Sequence, residues 1–404
     1  PKGPVHINIP LAEPLYEVQE LTSSPEIISF ENKEGELSVT DKVLIKEAWP
    51  TAKKKLLLIG QLEPYGVSLH TLSPILNDPS VAILVENTSN VQDFKRICHC
   101  IDRTLAIIHV DEVEEFAPDL LVTIGGAVIS KKIKRFFREN KSSINWRIGE
   151  YLFEEDTFQS LTHSFNVNAN CFLDYISNLD IVPQSNFGSK WKQKDFLAED
   201  IHQKYLAQAS FSDLKAFELI LDSLPEDTNL HMGNSSVVRY CQLFNPIRET
   251  NYYSNRGVSG IDGSSSTALG ISLVSKRRLN VMISGDMSFF YDSNALWNSY
   301  LPSNFRMIVI NNGGGGIFKI IPGPGQSEQS KYFVAPFQAK IKSICEAHDV
   351  HYLRAESIED IKNSFPEFYS HKHNQRPVLL EVDTQGVESE VILKNYFAQI
   401  ARNE

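Results

Sequence analysis

Cysteine is scarce, at five in 404 residues, and the count is odd. That excludes a disulfide scaffold and fits free thiols in a reducing cytoplasm. Cys98-His99-Cys100 suggests zinc, but the spacing is too short for a knuckle and no second ligand pair follows at a finger-like distance. Long apolar runs are missing too: nothing reaches the about 18 residues a membrane helix needs, and there is no charged-then-apolar leader. Positive charge is in deficit, with 39 Lys and Arg against 50 Asp and Glu and a net charge of −11. A nucleic-acid surface is therefore not expected, although a local basic pocket for small anions is compatible with an acidic protein. No Gly-x-Gly-x-x-Gly opens a first βαβ unit, which sets aside a nicotinamide dehydrogenase. An initiating Met is absent as well. Val5, Ile7 and Ile9 alternate with polar residues like a strand, and a strand so near the first residue leads us to expect a fragment or processed chain.

What is present is ordinary for a globular protein: 42% hydrophobic and 22% charged residues, in a chain long enough for two domains. Residues 11–50 read as a linker running into a short helix near Val43–Trp49, stopped by Pro50. Apolar runs at 56–60, 81–85, 106–110 and 120–124 then alternate with helical stretches. Residues 181–205 hold Pro183, Gly188 and many charges, and read as a crossover. Beyond them, 230–232, 279–284, 306–310 and 378–382 read as strands, and 214–224, 341–348, 358–368 and 387–400 as helices. Continuous apolar strands between helices imply parallel sheets covered on both faces. The expectation is an α/β protein with two doubly wound domains, a central one over 21–180 and a second over 206–404.

In such sheets ligands sit beyond the carboxyl ends of the strands. Gly285-Asp286 follows one strand, and Asn311-Asn312-Gly313-Gly314-Gly315-Gly316 follows the next about two dozen residues later. One crossover unit spans that distance, so both ends can meet at one sheet edge. A carboxylate, an amide oxygen and glycine backbone suit Mg²⁺, and Gly-rich backbone at a helix start can cradle phosphate.

This pairing resembles the thiamine-diphosphate signature, with Met287 where a third glycine is common. Gly233–Arg239, Tyr253–Gly263, Gly285–Ser288 with Tyr291-Asp292, and Asn311–Phe318 are similar to the family of 2-succinyl-5-enolpyruvyl-6-hydroxy-3-cyclohexene-1-carboxylate synthases of menaquinone synthesis. Gly3–Pro10 with Glu13-Pro14-Leu15 resembles the end of that family's N-terminal pyrimidine-binding domain, so 1–20 reads as its tail. The resemblance implies decarboxylation of 2-oxoglutarate on thiamine diphosphate and addition of the succinyl carbanion equivalent to isochorismate. It implies Asp286, Asn312 and the Gly314 carbonyl as ligands of Mg²⁺ or Mn²⁺, with Gly285 beside them. Ile261 matches the residue that props the cofactor in its bent form. Ile317 and Phe318 match an apolar wall at the reacting carbon. Asn234, Ser235, Arg239 and Arg256 match carboxylate-binding positions, and Lys131 and Lys132 a basic pair on the isochorismate side, with Lys132 where Arg is expected.

The family's essential Glu, which bonds the cofactor's pyrimidine, belongs to the N-terminal domain. The expectation is that these 404 residues alone are inactive and that the intact protein is a cytoplasmic homodimer or tetramer. The alternatives are another carboligase on the same scaffold, such as an acetolactate-forming enzyme, and a non-catalytic diphosphate-binding module.

Overall fold

The computed structural model describes residues 7–10, 35–93, 95–150, 156–180, 182–320, 330–370 and 376–402. Its strands form two sheets, each parallel throughout. The first contains β1 (Lys55–Ile59), β2 (Val81–Val85), β3 (Leu120–Ile124), β4 (Ile144–Ile148) and β5 (His163–Phe165), in the order β2-β1-β3-β4-β5. The second contains β6 (Thr228–Met232), β7 (Asn251–Tyr253), β8 (Leu279–Gly285), β9 (Phe305–Asn311), β10 (His351–Ala355) and β11 (Val378–Asp383), in the order β10-β11-β9-β8-β6-β7. In both sheets the order reverses between the first strand and the third. That reversal opens a crevice at the carboxyl ends, between β1 and β3 and between β6 and β8.

The apolar runs become central strands because helices cover both their faces. Every residue of β1, β2 and β3 is buried, and each large aliphatic side chain so buried contributes about 1.5–3 kcal/mol. Residues 106–110 are not the strand their apolarity suggests. They are the end of the helix Ile101–Ala106 and the turn beyond it, where Ile107 packs into the second core. A short apolar run does not separate a strand from a buried helix end. Strands β4, β5, β7 and β10 escape a reading by apolarity because they carry Arg147, His163, Asn251 or Arg354. Of the strand read over Val5–Ile9, residues 1–6 lie outside the described residues, and residues 7–10 take no regular form. The early helix runs Val39–Ala48, beginning before Val43 because Ser38 and Asp41 form a capping box.

The crossover is helical. Phe187–Gln208 is one helix of 22 residues. Phe187 and Trp191 pack with β1 and β2 side chains, whereas Ala198, Ile201 and Leu206 pack into the core of the second sheet. One helix therefore ties both cores together. The loops after β1 and β2 add direct bonds across the junction: Gln61 Nε2 donates to the Ser254 carbonyl at 2.9 Å, and Asn90 and Tyr252 exchange bonds at 2.8 and 3.1 Å.

Candidate active site

Strand β8 ends at Gly285, and Asp286 opens the helix Asp286–Tyr291. The side chain of Asp286 is buried, at 1% exposure. Its Oδ1 accepts from Met287 N at 2.5 Å, and its Oδ2 accepts from Gly313 N and Gly314 N at 2.9 Å each. The glycine loop after β9 is thus folded onto the carboxylate at the end of β8. Burial pushes the Asp286 carboxyl up to about 6, against the pull of these three donors; a bound cation would reverse that balance.

The run of four glycines does not leave four free donors for phosphate. Gly313 and Gly314 N–H groups serve Asp286, Gly315 N donates to the Val334 carbonyl at 2.7 Å, and Gly316 N to Gly314 O at 2.8 Å. Glycine here permits a tight loop. Gly314 has φ +134°, and a Cβ on it would meet Val334 O at 2.2 Å.

A cleft of about 370 Å³ opens at this point. It brings together Asn234, Ser235, Gly285, Asp286, Asn312, Gly314, Ile317 and Phe318 from beyond the ends of β6, β8 and β9, and Ile261 from the loop after β7. Ile317 and Phe318 stand in the short helix Ile317–Ile320, and the Phe318 ring lies 5.5 Å from that of Phe333. Tyr291, already among the segments that carry the resemblance, and Tyr332 also line the cleft; Tyr332, an exposed aromatic without periodic context, gave no sign of this. The Ile261 loop is held at two points. Ser288 Oγ donates to the Ile261 carbonyl, and Asp292 accepts from Ser266 N at 2.7 Å and Ser266 Oγ at 2.6 Å.

The donor set fits a hard divalent cation. Asp286 offers carboxylate oxygens, Gly314 a carbonyl, and Asn312 an amide whose Nδ2 donates to Asp213 Oδ2 at 3.0 Å, which leaves its oxygen for the cleft. Oxygen donors on a pre-folded loop suit Mg²⁺ or Mn²⁺ completed by diphosphate and water. Among the described residues no cluster of three or more His, Cys, Asp and Glu offers a rival metal site.

The cationic residues stand apart from this cleft. Asn234 is fully engaged: its Nδ2 donates to Asn255 O at 2.8 Å and Gly260 O at 2.7 Å, and its Oδ1 accepts from Arg256 Nη1. It fastens the loop that carries Arg256. Arg239 donates to Ser235 O at 2.8 Å and faces a narrow gap beside Glu86, Asp102 and Ser130. Arg256 lines a second crevice of about 390 Å³ with Lys134, Arg147 and Gly125-Gly126, at the β1/β3 reversal. Burial pulls the Arg256 and Lys134 pKa values down, and the positive charges of Arg239 and Arg256 deepen the shift on Lys134. Among the described residues, the buried Nε atoms of Arg147 and Arg256 have no acceptor.

Lys131 and Lys132 do not reach that crevice. The helix begins at Lys131, so its period turns Ile133 and Phe137 into the core and Lys134 to the crevice. Lys131 is exposed. The Lys132 ammonium lies 3.5 Å from the centre of the Phe397 ring and 3.5 Å from the Asp102 carbonyl. Lys134 and Arg147 are the members that sequence reasoning missed. Lys134 sits within a basic helix face, and Arg147 within a strand that apolarity does not mark.

Two expected results arise here. Ser235 adopts φ 69°, ψ −123°, a region that costs a non-glycine residue about 1–3 kcal/mol. Ser235→Gly should therefore raise the melting temperature; an unchanged or lower midpoint would show that the hydroxyl offsets the strain. Glu86, fully buried, accepts from Ile129 N and Ser130 N at 2.7 Å each. Burial pushes its carboxyl up to about 7; Asp102 acts in the same direction, and the two backbone donors and Lys134 oppose it. The folded protein then keeps a proton that the unfolded chain has lost. Stability falls as pH rises from about 4.5 to 7, by on the order of 3 kcal/mol. Melting curves across this range should be flatter for Glu86→Gln than for the parent, and equal slopes would refute the assignment.

Known proteins share these features. Residues 232–382 match the family described as thiamine pyrophosphate enzyme, C-terminal TPP binding domain. The 2-succinyl-5-enolpyruvyl-6-hydroxy-3-cyclohexene-1-carboxylate synthase of Flavobacterium johnsoniae is 38% identical, over 99% of this chain and 72% of its own length. That of Christiangramia forsetii is 40% identical over 98% of this chain and 69% of its own, and that of Porphyromonas gingivalis 36% over 99% and 70%. Among solved structures, benzoylformate decarboxylase from Polynucleobacter necessarius superposes with a TM-score of 0.67 over 91% of this chain and 68% of its own, at 14% identity; that likeness concerns the fold.

Proposed function

Since this chain belongs to the family of 2-succinyl-5-enolpyruvyl-6-hydroxy-3-cyclohexene-1-carboxylate synthases, which are thiamine-diphosphate enzymes, we propose that it takes part in decarboxylating 2-oxoglutarate and joining the succinyl unit to isochorismate, in menaquinone synthesis. The observation that carries this reading is the meeting of Asp286, Asn312 and Gly314 in one cleft at the β6/β8 reversal, joined to a separate cationic crevice through the bond between Asn234 and Arg256. Asp286, the Asn312 amide oxygen and the Gly314 carbonyl would hold Mg²⁺ or Mn²⁺, with Gly285 beside them. Thiamine diphosphate, when bound, supplies the electron sink that decarboxylation needs. Ile261, which lines the same cleft, would support the cofactor there. Ile317 and Phe318, with Phe333, keep water from the reacting carbon.

Both substrates are dicarboxylates, and guanidinium groups pair with carboxylate in bidentate fashion. Arg256 and Arg239 are assigned that task. Asn234 and Ser235 hold the two arginines through Asn234 Oδ1 and the Ser235 carbonyl. Lys134 and Arg147 take the place first given to Lys131 and Lys132, because they are the ones that face the crevice. The described carboxylates lining the cleft are Asp213 and Asp286. Asp213 is committed to Asn312 and Thr384, and Asp286 to the loop. Neither is free for the pyrimidine edge, so the reading has these residues inactive without a pyrimidine-binding domain.

A second copy is the proposed source of cover for the cleft. Tyr291, which lines the cleft, is 63% exposed, and Trp297 and Tyr300, later in the same β8–β9 connection, are 75% and 73% exposed, which favours a homodimer or tetramer. Free cysteines at 98, 100, 171, 241 and 345 agree with a cytoplasmic setting. No described helix is long and apolar enough to cross a membrane.

The test is CO₂ release by the chain alone and after supplying a relative's pyrimidine-binding domain, with 2-oxoglutarate or pyruvate as donor and isochorismate as acceptor. Release from 2-oxoglutarate on complementation supports the reading. Preference for pyruvate would favour an acetolactate-forming activity, and no release from either would favour a diphosphate-binding module.

A further inference from the structure

Asn312 can turn either end of its carboxamide toward the cleft, and only the oxygen can ligate a cation. We propose that Asp213 is the positioning residue that settles this choice, by holding the Asn312 Nδ2 so that Oδ1 faces the cleft. The proposal rests on the metal-site reading above and adds a residue to it.

Asp213 is the first residue of the helix Asp213–Ser223 and is 2% exposed. Both of its oxygens act as acceptors. Oδ2 takes Asn312 Nδ2 at 3.0 Å, and Oδ1 takes Thr384 Oγ1 at 2.6 Å. Its own N–H donates to Ser389 Oγ at 2.9 Å. The carboxylate is thus anchored to its helix, to the exit of β11 and to the start of the helix Ser389–Arg402, so it has no room to swing. A carboxylate that accepts on both oxygens can face only the NH₂ end of an amide. Turning Asn312 over would set two acceptor oxygens against each other beside the buried Asp213, at the cost of the one bond that joins them. Gly316 keeps the other side of the amide clear: a Cβ there would meet Asn312 Nδ2 at 2.7 Å. Asp286 needs no such help, since backbone N–H groups fix it.

The arrangement differs from a generic stabilising contact because it can be inverted. In Asp213→Asn the introduced amide can offer its own NH₂ to Asn312 Oδ1, turning the wrong end toward the cation. In Asn312→Asp two carboxylates face each other, and the pair must take up a proton or move apart, which competes with holding a cation. Combining the two substitutions restores one donor and one acceptor, and leaves a carboxylate oxygen for the metal.

The experiment is calorimetric titration of the full chain with Mg²⁺ and thiamine diphosphate, with Mn²⁺ binding followed by electron paramagnetic resonance and a melting curve for each variant. Asp213→Asn should weaken binding by about 10–100-fold, the range found for groups that orient metal ligands. Asn312→Asp should also weaken it, and the double variant should recover to within about threefold of the parent. A merely structural role for Asp213 would not be rescued by changing Asn312. Parent-like binding by Asp213→Asn overturns the proposal, as does a double variant no better than Asn312→Asp alone. The latter comparison decides the matter even where Asp213→Asn fails to fold. Asp286→Ala serves as the control: if it still binds, the metal-site reading falls; if it loses binding while Asp213→Asn does not, only the positioning role falls.

Discussion

Asp286→Ala is expected to abolish cofactor–metal binding, a loss of more than about 100-fold, since it removes a ligand outright where outer groups alone cost up to that much. Two effects add. The substitution takes away the only carboxylate that faces the cation position in the described cleft, Asp213 being turned to Asn312 and Thr384. It also strips the backbone N–H groups of Met287 and Gly314 of their acceptor, and leaves that of Gly313 only the longer bond to Asn311 Oδ1 at 3.4 Å. The loop that carries Gly314 and Asn312 then loses what folds it back onto β8. Asp286→Asn separates the two contributions, because an amide oxygen still accepts part of these bonds but brings no charge. Titration calorimetry with thiamine diphosphate and Mg²⁺ should rank the parent above Asp286→Asn and the latter above Asp286→Ala. Equal binding by parent and Asp286→Ala would remove this residue from the site.

Gly314→Ala is the second large effect, and it comes from backbone geometry alone. A methyl group at this position would lie 2.2 Å from Val334 O and 3.2 Å from Val334 C. Both atoms are backbone, so no rotamer change relieves the clash. The conformation itself, at φ +134°, is one that side-chain-bearing residues rarely adopt. The loop must move, and with it the Gly314 carbonyl and the N–H that serves Asp286. We expect a loss of on the order of 2–4 kcal/mol in stability and a fall of at least about tenfold in cofactor–metal affinity. Gly386→Ala is the matched control, with φ +78° and nothing within 4 Å of the added carbon. It should cost about 1 kcal/mol and leave affinity unchanged. Similar losses in the two variants would mean that strain, rather than the approach to Val334, dominates at Gly314.

The central strands and the pairing of Gly285-Asp286 with Asn311-Asn312 are legible in the sequence for one reason. Strands covered on both faces are mostly apolar, with buried polar members such as Asn229, His231, Asn280 and Arg306 held by hydrogen bonds, and residues at their carboxyl ends are released from that demand. Edge and short strands such as β5, β7 and β10 are only partly covered, so they carry polar side chains and leave little trace. The helix Phe187–Gln208 was obscured in the opposite way. Its charges and Pro183 suggest a linker, while Phe187, Trp191, Ala198, Ile201 and Leu206 face two different cores in succession. A stripe that changes partner halfway along does not read as one amphipathic face.

The cationic crevice shows the same limit within the site. Lys131, Lys132 and Lys134 are nearly equivalent in sequence, and a rotation of about 100° per residue sends them to solvent, to Phe397 and to the crevice. The choice follows from where Ser130 caps the helix.

By itself, then, the sequence determined the two parallel sheets and the acid and amide at adjacent strand ends, because these depend on local pattern and spacing, and its motifs carried the resemblance to a thiamine-diphosphate family. Only the tertiary structure decided which lysine faces the crevice, that the glycine N–H groups are spent on Asp286, Val334 and Gly314, and that Asp213 grips the amide of Asn312. Those outcomes depend on contacts between distant residues, such as Asp213 and Asn312, 99 apart in the chain, and Asp213 and Thr384, 171 apart. A linear pattern carries no record of such contacts, because orientation and hydrogen-bond partners are fixed only when the elements pack.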